Sequence, residues 1–539
     1  MSPRLPRLGP GRGRRARAAG AQRYATWVAE VEPGLAARPR VHRFADPPVI
    51  GEAGSPAEPL CVCIIGAPGA DAGATLASIQ RQTVPPAAVL HGEGAEALGE
   101  VGTERAVLVR AGDALAPNAL HRLGQAAGLA PDAALITCDD DALDAAGARV
   151  DPHCKPGPSP DLLLERDHAG VLLTVQRDAA LAADAVPGPV WPYELALRLT
   201  GPDGARAAHC PAVVGRRTGR ERRGDGVAEL EAVRRVLTER EPGAGVTGLE
   251  GRRTVTRPVA GEPAVEVIVA FRDRPDLLAR CVRPLLAPGA WERLRVRLVD
   301  NASTDPALAA LLAELARDPR VVVESDPRPF NFSRLNNAAA ATSEADVLLF
   351  LNNDVEPTPG AGWVEALLGH AQRPEVGAVA PLLTFPTGRV QHAGAALGLH
   401  GWAGHPFAHT RPDEPTPFGT ATDGTRNWLA VSAACLMVQR SKFAGVGGFD
   451  EDFTVTGNDV DLGLRLTAGG HRSLCVPHVR LVHDESATRD PQAIPASDYA
   501  RSRERYGAFR TVGDPFYNPN LTLAGSECAM RGPAERDPV

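Results

Sequence analysis

Lysine is almost missing from this 539-residue chain: only Lys155 and Lys442 occur, leaving 56 arginines among 58 basic residues. A Gly-rich loop bearing lysine, which a sugar-nucleotide pyrophosphorylase would want near its start, has little material to form from. An excess of positive charge is missing too. The formal net charge is −7 and the pI about 6.1, which excludes a dedicated nucleic-acid partner. No run of 18 apolar residues occurs, so no membrane span is expected, and the start lacks the apolar stretch of a secretory signal. The nine cysteines include no C-x-x-C pair, which leaves neither a zinc ribbon nor a disulfide framework. These features place the protein in the cytoplasm with reduced thiols. A dinucleotide-binding turn is absent as well, because the first strand of the second half runs into Phe271-Arg272-Asp273-Arg274 with no glycine.

What remains is a globular composition. Hydrophobic residues make up 44%, and the length suits two to four domains. Residues 1–23 hold seven arginines and no acid, which predicts a disordered basic tail that leaves room for peripheral contact with an anionic membrane face. Strand-like runs alternate with helical ones, so the fold class is α/β with a largely parallel sheet. In the second half, strands are expected over 266–270, 295–300, 346–351 and 479–483. Helices are expected over 275–286 and 306–317, from a Ser333 cap to 341, and from Asn458 to the stop at Gly469-Gly470. The first half repeats the plan weakly, with 60–65 resembling 266–270 and 106–109 resembling 347–350. The expected organisation is a tail and helical segment over 1–57, a first domain over 58–215, a connector over 216–262, a second domain over 263–490 and an extension over 491–539.

Polar clusters end the second-half strands, where an open α/β sheet places its ligand crevice. In Val299-Asp300-Asn301-Ala302-Ser303-Thr304-Asp305 a carboxylate can receive nucleotide hydroxyls, and equally the Ser and Thr can cap the next helix. Asp354, closing Asn352-Asn353-Asp354, can hold a hard cation that completes its shell with water and phosphate; the plain alternative is an Asx turn. Asp459 and Asp461 are spaced i, i+2 and so face different ways on a helix; an acid at such a start is either a cap or a general base. His483 ends a strand, and a neutral imidazole there can serve a metal or simply pack.

Taken together, these segments resemble the inverting GT-A glycosyltransferases of family 2, in the polysaccharide-assembly branch that includes rhamnosyltransferases. The resemblance rests on VDNASTD (299–305), FNFSRLNN (330–337), LFLNND (349–354), VQHA (390–393), ACLMV (434–438), VGGFDE (446–451), NDVDLGLRL (458–466) and His483 with Glu485-Ser486. It implies two tandem GT-A domains, Rossmann-like folds of the nucleotide-diphospho-sugar transferase kind, with the second intact. It implies a metal-dependent transfer from a nucleoside-diphosphate sugar donor to a glycan or lipid-linked glycan acceptor in cell-surface polysaccharide synthesis, at the inner membrane face. The same resemblance implies Asp459 as catalytic base and Asp354 and His483 as ligands of Mg²⁺ or Mn²⁺. Asp273, Asp300, Asn301, Asn336, Asn352 and Asn353 then fall at the donor. Gln391, His392, Trp402, Trp428, Asn458 and Asp461 fall around the sugar or acceptor, with the two tryptophans as stacking platforms.

In the first half the metal triplet reads Arg110-Ala111-Gly112 before Asp113, the late acidic site Pro192-Tyr193-Glu194, and the terminal histidine Gly215-Arg216. A folded domain without catalysis is expected there, although 138–152 and 155–163 keep the family's middle segment. The ending Asp514-Pro515-Phe516-Tyr517-Asn518-Pro519-Asn520 is expected to pack on the catalytic half. The rival reading is a non-catalytic carbohydrate-binding or scaffold protein with both domains retired, which the retained Asp300, Asp354, Asp459 and His483 oppose.

Overall fold

The computed structural model describes residues 10–535, except 45–46, 53, 68, 219–225, 249–251 and 486–493, with side chains from residue 18. By packing, the chain divides into two units: unit 1 is Met1–Val255 with Pro415–Gly424 and Thr511–Val539, and unit 2 is Thr256–Glu414 with Thr425–Arg510. Both are mixed α/β, as the sequence implies.

In unit 2 a ten-stranded sheet is built around Val265–Phe271, which pairs in parallel with Leu294–Asp300 on one side and Val347–Leu351 on the other. Val321–Ser325 extends the first side. Beyond Val347–Leu351 lie antiparallel Cys435–Gln439, then Val376–Thr384, then Arg472–His483 parallel to it. Val347–Leu351 is buried along its whole length, which explains its unbroken apolar run. The core beneath gathers Val267, Leu298, Leu349, Leu367 and Met437. The helix Pro275–Leu286 has proline in its first turn, where no amide partner is lost. The helix Phe332–Ala341 is capped by Asn331, which accepts from Arg334 N, and not by Ser333, whose hydroxyl donates to Phe453 O.

Unit 1 repeats this order over six strands, without a counterpart of Val321–Ser325. Cys61–Ile65 lies between parallel Val89–Gly92 and Arg105–Arg110; antiparallel Leu172–Gln176, then Leu135–Leu143, and Ala207–Arg217 parallel to it, follow in sequence. The shared topology and shared pairing directions carry the duplication further than the faint sequence likeness does.

Three expectations change. The basic start is helical over Pro10–Thr26, with residues 1–9 outside the described residues. Most of the expected connector packs in unit 1: Leu230, Val233, Val236 and Leu237 of the helix Gly226–Arg240 are buried in its core, with Val246 and Val255 after it. The end segment belongs to unit 1 and not to the catalytic half, because Asn518 and Asn520 Nδ2 donate to buried Asp139 Oδ2 at 2.8 and 2.9 Å. All nine cysteines are free and buried. Among the described residues no helix is long and apolar enough to cross a membrane.

Candidate active site

The polar ends of the unit 2 strands form one crevice. Asp354 follows Val347–Leu351, and His483 ends Arg472–His483. The short strand Val355–Glu356 pairs antiparallel with Val482 and His483 and draws them together. His483 Nε2 lies 3.1 Å from Asp354 Oδ1, with both side chains buried. His483 Nδ1 and Asn353 Nδ2 are also buried, and neither makes a hydrogen bond. These two buried atoms belong to the histidine of the pair and to the residue before Asp354, and their bonding capacity is unspent. Among the described residues no three His, Cys, Asp or Glu side chains converge on a metal-sized space. The donor set therefore suits a hard cation gripped by one carboxylate and one imidazole, with water and substrate phosphates as its other ligands.

Three consecutive residues tie this pair to the opposite wall. Ala434 O accepts from Asn352 N (2.9 Å), Ala433 N donates to Asp459 Oδ2 (3.1 Å), and Ser432 N donates to His392 Nε2 (3.2 Å). One short segment thus fixes the triplet, the helix Asn458–Ala468 and the strand Val390–His392 with respect to each other. Asp459 stands in the first turn of its helix, with Oδ1 accepting from Val460 N. Burial pushes its carboxyl above the ordinary range, opposed by the Ala433 amide and by His405. A carboxylate with a raised pKa is a better proton acceptor, as a general base requires.

His405 was not foreseen. It follows the hairpin strand Ala403–Gly404, and its Nδ1 lies 3.1 Å from His392 Nδ1. Burial, then the neighbouring His405 and His483, hold His392 well below the usual imidazole range, so it is neutral. Because its Nε2 accepts the Ser432 amide, its proton is on Nδ1 and is donated to His405. Gly394 O also lies 3.2 Å from His405 Nδ1. Only one of these contacts is a hydrogen bond in a given tautomer, and the backbone donor at Ser432 decides for His392. The only sequence signal was a histidine 13 positions after His392, which no spacing rule distinguishes.

Backbone amides hold the two carboxylates expected at the donor. Asp300 Oδ1 accepts from Ser303 N (2.9 Å), and Asp273 Oδ1 accepts from Thr304 N and Asp305 N at 2.6 and 2.8 Å. Those two amides hold the Asp273 carboxyl below its ordinary range. Asp273 and Arg274 are both left-handed (φ 54° and 52°), a conformation that non-glycine residues seldom adopt and that clusters at functional sites. Gln391 Nε2 donates to Glu485 Oε2 at 3.1 Å, and its buried Oε1 has no partner. Ser486 lies outside the described residues.

Other expected site residues serve the scaffold. Trp428 is wholly buried, and Gly394 packs so closely on its ring that an added Cβ would sit 2.1 Å from Nε1, so it is no stacking platform. Asn301 Nδ2 braces the carbonyls of Asp326 and Arg328, and Asn336 Nδ2 is spent on Phe332 O. Asn458 Oδ1 accepts from Asp459 N. Buried Asp461 is paired with Arg465 (2.7 Å) and Arg505 (3.2 Å), which leaves it unavailable to a sugar.

Register shows what unit 1 lacks. There Ala114–Leu115 pairs with Gly215 and Arg216 as Val355–Glu356 pairs with Val482 and His483. Asp113 thus stands where Asp354 does, and Arg216 where His483 does. Arg216 is turned onto Asp141 at 2.9 Å. The i, i+4 pair Asp461–Arg465 has its counterpart in Glu194–Arg198, with the carboxylate buried in both. That alignment sets Pro192 where Asp459 stands. The ion pair is common to both units and the candidate base is not.

The Glycosyl transferase family 2 domain matches residues 266–420. An N-acetylglucosaminyl-diphospho-decaprenol L-rhamnosyltransferase of Mycobacterium tuberculosis is 35% identical over 228 residues, which cover 38% of this chain and 71% of that protein. The chain belongs to glycosyl transferase family 2. This family member is also 42% identical over 441 residues to the O-antigen biosynthesis protein RfbC of Myxococcus xanthus, covering 78% of the chain and 34% of that relative. It spans about a third of that curated relative's length. A crystal structure of GalNAc-T7 with UDP, GalNAc and Mn²⁺ aligns with a TM-score of 0.37 at 18% identity, over 45% of this chain and 48% of that one.

Proposed function

We propose that unit 2 is an inverting, metal-dependent glycosyltransferase that moves a sugar from a nucleoside diphosphate to a hydroxyl of a diphosphate-lipid-linked glycan in cell-surface polysaccharide synthesis, and that unit 1 is non-catalytic. The observation that carries this reading is the segment 432–434, which hydrogen-bonds Asp459, His392 and the Asn352–Asp354 triplet at once. The rhamnosyltransferase and O-antigen relatives support the substrate class.

Asp354 and His483 would hold Mg²⁺ or Mn²⁺, which supplies charge stabilisation for the departing diphosphate. Asp273 and Asp300 receive the donor's nucleoside, and their loops are already set by backbone amides. Asp459 takes the proton of the acceptor hydroxyl as that oxygen attacks the anomeric carbon. A single base and direct displacement invert the anomeric centre, without the covalent glycosyl-enzyme that a retaining hydrolase forms. In unit 1, Arg216 and Pro192 occupy the two positions this chemistry needs, and an arginine binds no cation.

The test is transfer from a panel of UDP-, dTDP- and GDP-sugars to a synthetic N-acetylglucosaminyl diphosphate isoprenoid, with Mn²⁺ present. Turnover should appear with one donor and disappear in Asp459→Asn and Asp354→Ala. Equal product from wild type and both variants would refute the assignment.

A further inference from the structure

Helix Ala496–Arg505 and the short helix Gly507–Val512 after it carry four arginines that divide into two groups. Arg501 and Arg505 are paired with carboxylates, at 2.7 and 3.1 Å from Asp450. Arg503 and Arg510 have no carboxylate partner among the described residues. Both lie against one indole instead: Arg503 Cζ is 5.6 Å and Arg510 Cζ 4.8 Å from the centroid of Trp402. Tyr499, 39% exposed, lies against the same indole, with ring centroids 4.9 Å apart and the planes tilted by 55°. Tyr499 and Arg503 are spaced i, i+4 on the first helix and Arg510 comes from the second, so the shared indole draws the three side chains together. Two cations on one ring lie within about a Debye length of each other and repel. The aromatic face offsets part of that repulsion, and a dianion between them would offset the rest.

The location says which ligand. Tyr506, which joins the two helices, donates its hydroxyl to Gly457 O at 3.0 Å, at the entrance to the helix that presents Asp459. Trp402 lies between Ala396–Leu397 and Ala403–Gly404, three residues before His405. The platform is therefore built onto the two elements around the base, where an acceptor hydroxyl must come. The donor's phosphates belong with Asp354 and His483.

We propose that Arg503 and Arg510, braced on Trp402, bind the diphosphate of a diphosphate-linked acceptor, with the exposed faces of Trp402 and Tyr499 receiving the first isoprene units. This rests on the reading of unit 2 as a transferase and names its acceptor subsite. Guanidinium forks match phosphate oxygens two at a time, and rings with a polar rim suit the junction between an anionic head and an apolar tail.

The experiment is calorimetric titration of the full chain with two probes: N-acetylglucosaminyl diphosphate bearing a ten-carbon isoprenyl tail, and the same sugar and tail joined without the diphosphate. Wild type should bind the diphosphate probe at least about tenfold tighter, and Arg503→Gln/Arg510→Gln should erase that preference while UDP, dTDP and GDP affinities stay unchanged. Arg510→Gln alone should lose part of it, and Trp402→Ala should weaken both probes. The proposal falls if the double variant keeps the preference, or if nucleotide affinity drops with it, which would assign the pair to the donor. It falls equally if the double variant instead loses binding to phosphatidylglycerol vesicles with the probe preference intact, which would make the patch a membrane contact. The preference is read by binding alone, with neither donor nor metal present, so a failed transferase assay and a failed subsite are told apart.

Discussion

His392 and His405 meet nitrogen to nitrogen at 3.1 Å, with the Ser432 amide on the far side of the His392 ring. That amide decides where two protons sit. His392 carries its proton on Nδ1 and donates it to His405 Nδ1, which leaves the neutral His405 ring with its own proton on Nε2. Long-range proton–nitrogen NMR should show those two opposite tautomers. The same tautomer on both rings would contradict this assignment.

Asp459→Asn should lower kcat by at least about a hundredfold with little change in donor binding. Stability should stay level or rise, since the substitution removes a charge that burial disfavours. The pH profile should agree in sign. The base works ionised, so its raised pKa moves the acidic limb of kcat to higher pH than an ordinary aspartate would give. An acidic limb at ordinary carboxylate pH would contradict the burial.

Chelation should abolish turnover, and added Mn²⁺ or Mg²⁺ should restore it in wild type. In His483→Ala, restoration should need a higher metal concentration, by about 10- to 100-fold. Unchanged metal titration in that variant would remove His483 from the cation site.

Asp461→Ala should act on folding and not on chemistry. It leaves Arg465 with the Val446 and Gly448 carbonyls and Arg505 with Asp450; as both guanidiniums are partly solvated, the cost falls below the roughly 3–5 kcal/mol of a fully buried pair. Glu194→Ala should do the same in unit 1 through Arg198 and Arg235. Intact thermal stability with lost sugar binding in Asp461→Ala would return that residue to the substrate.

Unit 1 should be acid-sensitive through His42. Burial lowers its pKa from the ordinary 6.5 to about 3. Between those values the unfolded chain holds a proton that the native chain refuses, so stability is unaffected above about pH 6.5 and is lost as pH falls. His42→Gln, which can keep the contact with Pro515 O, should flatten the fall in denaturation midpoint between pH 6.5 and 4.

The strands and the crevice were legible because burial writes itself into the sequence. Val347–Leu351 is apolar throughout since both its faces are covered, and Asp354 and Asp459 sit at element ends, where polar residues are read easily. Roles that depend on partners were not legible. Asp461 and Asp459 look alike two residues apart, and only the arginines around Asp461 separate them. Trp402 and Trp428 are one residue type, yet one lies half-open under two arginines and the other is sealed by Gly394. The His392–His405 contact and the pinning of Asn518 to Asp139 join positions whose spacing follows no helical or strand period.

That last contact orders events on the ribosome. Asp139 is buried in the sheet of unit 1, and two of its acceptor bonds come from Asn518 and Asn520. Until those residues emerge, nearly four hundred positions later, a nascent unit 1 keeps a carboxylate short of partners. The packing of unit 1 is therefore complete only after the whole of the intervening unit has been translated.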